Sequence, residues 1–282
     1  MGGFINSSGI QLLDEFGNPY GLKQVDGKIR VSAMPYLYDI AEGNVANHTP
    51  WAKIGYSVST TGQTTMWNPG TEYVWPTIGQ QLDVVSTDNT NDIAGGAGAL
   101  TVRIGYLTIA GLEKTEVVTL TGTTVAHTVA TDIYRINSFR VASTGASGKA
   151  AGTISLQRIS PNGATKFAQI ALGYTRARGC FYTVPAGKNL YISSIAFSAG
   201  YTTAGKYVRF TTQATYDNIT LTALTPGVFF MAYNEVVLID GAYTRALEIP
   251  TKLPAGTDLK VSVIGEASIF CTCSLRGWLE TA

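Results

Sequence analysis

Along most of the chain apolar and polar residues alternate one by one. That period sends successive side chains to opposite faces of a β-strand. In "ALTVRIGYLTI" it puts Leu100, Val102, Ile104 and Tyr106 on one face, with Thr101 and Arg103 on the other. "NLYISSIAF" and "DLKVSVIG" repeat the pattern, the second aligning Leu259, Val261 and Val263, and "SIFCTCSLRG" aligns Ile269, Cys271, Cys273 and Leu275. Val, Ile, Thr and Tyr, which dominate these runs, fit a pleated and half-buried surface. No amphipathic helix of about ten or more residues emerges, and clusters of Gly, Asn, Asp and Ser separate the strands at short intervals. The pattern predicts an all-β chain of antiparallel, jelly-roll-like β-sandwich units.

Three regions follow from the breaks. Residues 1–45 read as an extended N-terminal arm with one or two short strands, carrying the apolar leader "GKIRVSAMPYLYDIAEGN". Residues 46–160 read as a first β-sandwich interrupted by the loop "STDNTNDIAGGAGA", and 161–282 as a second, joined through "SPNGAT". A single jelly roll with a large insertion is the other arrangement the pattern allows. "INSFRVASTG" resembles "ISSIAFSAG", and "VPAGKNLYIS" matches "LPAGTDLKVS". In the second pair Pro presets a tight turn and Gly releases the chain into the next strand. These similarities mark either related β units or two uses of one hairpin solution.

Composition narrows the surface chemistry. Only 14% of the 282 residues are charged, 45% are hydrophobic, and the formal net charge is +1. Such a chain has ample material for a core and no broad field to recruit nucleic acid or an anionic membrane. Its surface polarity must come from Thr, Ser, Asn, Gln and Tyr, which suits packing against other protein. Met1 to Ile10 lacks the basic start and apolar run of a secretory signal, and Asn6 stands where a myristoylation site wants Ser or Thr. No apolar stretch reaches the length of a membrane span. The sequons at Asn6, Asn47 and Asn218 are therefore read as chance.

The chemistry-bearing residues do not assemble into a motif. His48 and His127 have no Cys, Asp or Glu at a metal-pair spacing and read as structural or interface histidines. Cys271 and Cys273 are two apart on a strand, so they share a face with Ile269 and Leu275. They are expected to be buried, reduced and inert, as is Cys180. "GGAGAL" precedes a strand and lacks the third Gly of a dinucleotide loop. No G-x-S-x-G elbow occurs. "DNTNDIAGGAGA" offers Asp88, Thr90 and Asp92 at early calcium-ligand positions, but Ile93 replaces the turn Gly and Ala99 the bidentate Glu. Glu113, Glu116, Asp240 and Glu248 are scattered acids from which no glycosidase pair stands out. The expectation is a non-enzymatic protein without cofactor or metal.

Two segments invite contacts. "YTRARGCFY" puts Arg176 and Arg178 on one strand face beside Tyr174 and Tyr182; a neighbouring subunit is a better match for it than nucleic acid. "TTMWNPGTEYVWP" collects Trp67, Tyr73 and Trp75, which exposed would stack on sugars or enter an interface and buried would cap a sandwich end.

"GNPYGLKQVDGKIRVSAMPYLYDIAEGN" leading to "HTPWAKIGY", then "TRARGCFYTVPAG" and the closing "RGWLE", resembles virion structural proteins of tailed bacteriophages. The resemblance spans most of the chain and includes no catalytic signature. It implies a particle component such as a capsid decoration or cement protein, a head fibre or a tail-associated protein. It further implies a homo-oligomer, a trimer first of all. The partners would be the major capsid protein or other virion proteins, without nucleic acid or membrane. Assembly would take place in the host bacterial cytoplasm. Under this expectation Val31, Met34, Tyr36 and Tyr38 are the docking side chains of the arm. The alternative is a tail or fibre protein that binds a host receptor or glycan, with Trp67, Tyr73, Trp75, Arg176 and Arg178 as candidate contacts.

Overall fold

In the computed structural model, residues 5–6, 9–10, 24–25, 28–29, 36–159, 165–200, 206–215, 231–239, 241–266 and 268–281 are described. The chain divides into two compact units, Met1–Val45 and Ala46–Ala282. In the first, β1 (Ile5–Asn6) pairs with β2 (Gly9–Ile10) and β3 (Gln24–Val25) with β4 (Lys28–Ile29). A short helix, α1 (Tyr36–Ala41), follows. The arm is thus not wholly extended. Gly43, at φ 76°, ends the helix in the left-handed conformation that glycine adopts without a Cβ penalty.

The second unit is all-β and antiparallel. Its strands in chain order are β5 (His48–Val58), β6 (Thr64–Thr65), β7 (Leu82–Ser86), β8 (Ala99–Leu107), β9 (Glu113–Thr119), β10 (Ala126–His127), β11 (Arg135–Thr144), β12 (Ile154–Arg158) and β13 (Lys166–Ile170). They continue with β14 (Phe181–Thr183), β15 (Lys188–Gly200), β16 (Val208–Ala214), β17 (Met231–Leu238), β18 (Gly241–Leu253), β19 (Asp258–Gly265) and β20 (Phe270–Thr281). Among the described residues these form four sheets: β10-β7-β12-β13, β11-β8-β9, β18-β15-β20-β5, and β14-β19-β16-β17 with β6 also on β19.

The sheets enclose two cores. Leu82, Val84, Ile154, Leu156, Phe167 and Ile170 from the first sheet meet Val102, Ile104, Tyr106, Val118, Ile136 and Phe139 from the second. Ile192, Phe197, Leu275 and Cys273 meet Phe210, Leu259, Val261 and Val263 in the other core. Alternation placed the inward residues of β19 and β20 correctly, and Val102, Ile104 and Tyr106 of β8; at the start of β8, where the pairing with β11 shifts register, Ala99 enters the core and Leu100 is only half-buried. Alternation did not place the partners. β5 pairs along its whole length with β20, from His48 opposite Glu280 to Val58 opposite Phe270, whereas β13 pairs with β12. Strand pairing therefore crosses the boundary expected at residue 160 in both directions. The first core is built from 82–170, inserted between β6 and β14 of the other.

The expected turns are present. Gly187 and Gly256 stand at φ 70° and 81° after Pro185 and Pro254, and the two loops are hydrogen-bonded to each other, Gly256 N donating to Val184 O at 2.8 Å. The two strands aligned through "INS" and "ISS" both shift register at that point, between Ile136 and Ser138 in β11 and between Ile192 and Ser194 in β15. A bulge re-aims the extra residue. In β11 that residue is Asn137, whose Nδ2 donates to Thr183 O at 2.8 Å while Thr183 N donates to its Oδ1 at 3.0 Å. Here one sheet pair grips the other.

Candidate interaction surfaces

The same junction absorbs the tryptophan segment. Trp67, Tyr73 and Phe181 form a small core with Trp75 against it. Tyr73 stacks on Phe181 with ring centroids 3.9 Å apart, and Trp67 and Trp75 meet Tyr73 edge-on at 5.2 and 4.9 Å. Trp67 Nε1 donates to Thr71 O at 2.7 Å. Trp67 and Tyr73 are only 4% and 3% exposed. The expectation of a sugar-stacking or receptor-binding face is corrected for these two: the sequence brought the rings together, and burial consumes their faces.

The other sequence-selected pair separates. Residues 175–177 run beside β11, with Val141 N donating to Thr175 O at 2.8 Å and Ala177 N to Phe139 O at 2.9 Å. This sets Arg176 opposite Arg140, and Arg140 is in turn opposite Arg103 on β8. The three arginines are exposed and lie in one row across adjacent strands. Together with Lys53, Thr115 and Ser138 they line a cleft of about 380 Å³. Lys53 donates to Asn137 O across the cleft floor, and burial of its ammonium lowers its pKa to about 8. Arg178 is instead clamped, its guanidinium carbon 4.2 Å from the Tyr56 ring centre and 3.9 Å from that of Tyr174. That is a cation–π contact on both sides.

A third surface was not anticipated. Tyr207 precedes β16, where Arg209 is opposite Val237 and Val208 opposite Leu238. Pairing parity therefore puts Tyr207, Arg209, Val237 and Ile239 on one outward face. Tyr207, Val237 and Ile239 are 54%, 56% and 67% exposed. Tyr207 and Val237 line a cleft of about 410 Å³ together with Arg209, Glu235 and Glu266. Alternation in "YNEVVLI" carried a signal for this face, but only the pairing says which parity points outward.

The remaining candidates serve the fold. Cys180, Cys271 and Cys273 are free and buried, and burial pushes the Cys271 thiol up to about 12 and the Cys273 thiol up as well. Gly55 passes over them so closely that a Cβ would lie 2.7 Å from both Cys180 Cβ and Cys273 Sγ. Asp92, offered by the calcium-like loop, is buried and accepts from Ser86 Oγ at 2.6 Å and from the N–H groups of Ala99, Ala151 and Gly152 at 2.8, 2.9 and 2.8 Å. Asp88 is held low by the N–H groups of Asn91 and Thr90. Among the described residues no group of three His, Cys, Asp or Glu is placed to hold a metal. His127 Nδ1 lies 2.7 Å from Asp83 Oδ1, and His48 Nδ1 donates to Ala46 O. Glu113 pairs with Lys188, and Glu116 accepts from Val129 and Ala130 N–H. Glu248 is exposed on β18, whereas Asp240 lies outside the described residues.

Of the arm residues, Tyr38 is 60% exposed on α1 and Tyr36 begins the helix. Val31 and Met34 lie outside the described residues.

The chain matches no family model and no curated protein. Among solved structures it aligns with infectious bursal disease virus of the Gt strain, at 11% identity and a TM-score of 0.20 over 87% of this chain and 77% of that one. It also aligns with the Gx strain of that virus, at 8% identity and a TM-score of 0.19 over 88% and 83%. Similarity at this level carries no argument about fold or function.

Proposed function

We propose that the chain is a non-enzymatic structural protein of a virion of the tailed-phage kind. In this reading its two sheet pairs are jelly-roll-like sandwiches. It decorates or stabilises the capsid as a homo-oligomer, with the trimer favoured, and it is assembled in the host cytoplasm. The observation that carries the reading is the apolar outer face of β16 and β17. Tyr207, Val237 and Ile239 share that face, and Arg209, Glu235 and Glu266 rim it. An apolar centre with a polar rim is the composition of a protein–protein contact. Scattered single hydrophobics would not support it; three on one face beside a cleft do. A neighbouring copy is its proposed occupant, and the arm residues Val31, Met34, Tyr36 and Tyr38 are the proposed grip on the shell. The arm being a compact unit of its own agrees with that division of labour.

Burial of Trp67 and Tyr73 removes two of the rings on which the receptor reading drew. The test is incorporation. A chain lacking residues 1–44 should fold as a β protein and fail to enter particles, and Val237→Asp in the full chain should reduce oligomer formation. Normal incorporation and assembly of both variants would count against the proposal.

A further inference from the structure

We infer that the row Arg103–Arg140–Arg176 is a binding site for a ligand carrying two or more closely spaced tetrahedral oxyanions, such as a phosphate chain or a sulfated sugar. It is independent of the apolar face and of the reading built on that face.

Register carries the argument. Arg140 stands directly opposite Arg103 on one side and Arg176 on the other. Side chains directly opposite one another on neighbouring strands, about 4.8 Å apart, are close enough to interact, and like charges so placed repel. Among the described residues none of the three forms an ion pair, although the protein has as many as 19 acidic residues to place. The cleft adds Lys53 from β5, and its lining contains no carboxylate. Four of the chain's 20 lysines and arginines thus converge on one cleft in a protein of net charge +1.

The cleft is also furnished with neutral donors. Ser138 and Thr115 lie two residues along from Arg140 and Val117, on the same strand face and on either side of Gly105. A Cβ on Gly105 would come within 2.4 Å of Ser138 Oγ, so glycine there leaves the hydroxyl its place. Hydroxyls beside guanidinium forks suit oxyanions, which accept several hydrogen bonds at once. A single carboxylate would leave most of the charge in the row unbalanced. A nucleic-acid strand would want exposed rings to stack on, and the one ring in the lining, that of Phe139, is buried. A compact polyvalent anion answers both points.

The test uses the full chain and calorimetric titration with tripolyphosphate, sucrose octasulfate, orthophosphate and a short single-stranded oligonucleotide. The expected result is that at least one of the first two binds roughly tenfold or more tighter than orthophosphate, with affinity falling as salt rises. Which of the two binds tighter identifies the source of the oxyanions. Arg140→Gln should weaken that binding by roughly tenfold, and Arg245→Gln, on the exposed strand β18, should leave it unchanged. Circular dichroism verifies that both variants are folded. Binding no tighter than orthophosphate, binding unchanged by Arg140→Gln, or preference for the oligonucleotide would each overturn the inference.

Discussion

Arg135 of β11 reaches out of its own sheet pair and closes a fork on Asp258 of β19 in the other, with Nη2 3.0 Å from Oδ2 and Nε 3.1 Å from Oδ1. Both side chains are almost fully buried, at 3% and 5% exposure. The remaining valences are filled: Nη1 donates to Pro76 O at 2.6 Å, Thr183 Oγ1 donates to Asp258 Oδ1, and Asp258 N donates to Thr215 Oγ1 at 2.9 Å. A buried pair so completely satisfied is costly to break from one side. Arg135→Met or Asp258→Ala should each lower stability by about 3–5 kcal/mol, because each leaves one charge buried alone. The double variant Arg135→Met/Asp258→Leu should recover part of that loss, as read from urea midpoints. Equal or greater loss in the double variant would mean that packing, rather than the unpaired charge, sets the cost.

Lys53 gives the protein a predictable alkaline limb. Its pKa falls from 10.5 to about 8 in the folded chain, through burial of the ammonium. Between those values the unfolded chain binds a proton that the folded chain lacks, so stability rises with pH across that window and is flat below it for this group. Lys53→Met should remove this contribution. The check is the difference between wild-type and variant urea midpoints from about pH 7.5 to about pH 10.5.

Gly55 is held by contact rather than by backbone angle. Gly55→Ala should destabilise the protein by about 1–3 kcal/mol, since its new methyl meets Cys180 Cβ and Cys273 Sγ in a packed core. Equilibrium unfolding measures it. In the native protein Cys180, Cys271 and Cys273 should resist a thiol-specific reagent until the chain unfolds, because all three are buried and burial raises the pKa of Cys271 and Cys273.

Asp92 organises the long loop through its own hydrogen bonds. Asp92→Ala strands the N–H groups of Ala99, Ala151 and Gly152 and should cost about 3–5 kcal/mol, near the upper end for single substitutions. Calcium should not restore the loss in a melting experiment.

Much of this was legible in the sequence, for a local reason. Strand faces follow from parity, so Val102, Ile104, Val261, Cys271 and Cys273 could be placed inward, and the Pro-Ala-Gly turns announced their own chemistry. Register across the sheets is not local. Nothing in "HTPWAKIGY" says that it pairs with the chain's far end, and nothing in Arg103 or Arg140 alone says that they face each other. The basic cleft and the Tyr207–Val237–Ile239 face are products of that pairing, which is why only Arg176 of these residues was singled out beforehand. Trp67, Tyr73 and Trp75 show the converse: spacing revealed a cluster, and the packing of Phe181 decided that it faces inward.

The central claim, a structural role in a particle, is tested most directly by counting this chain in purified virions and locating it by labelled imaging. The account predicts many copies arrayed on the head. Absence of the chain from purified particles would contradict it.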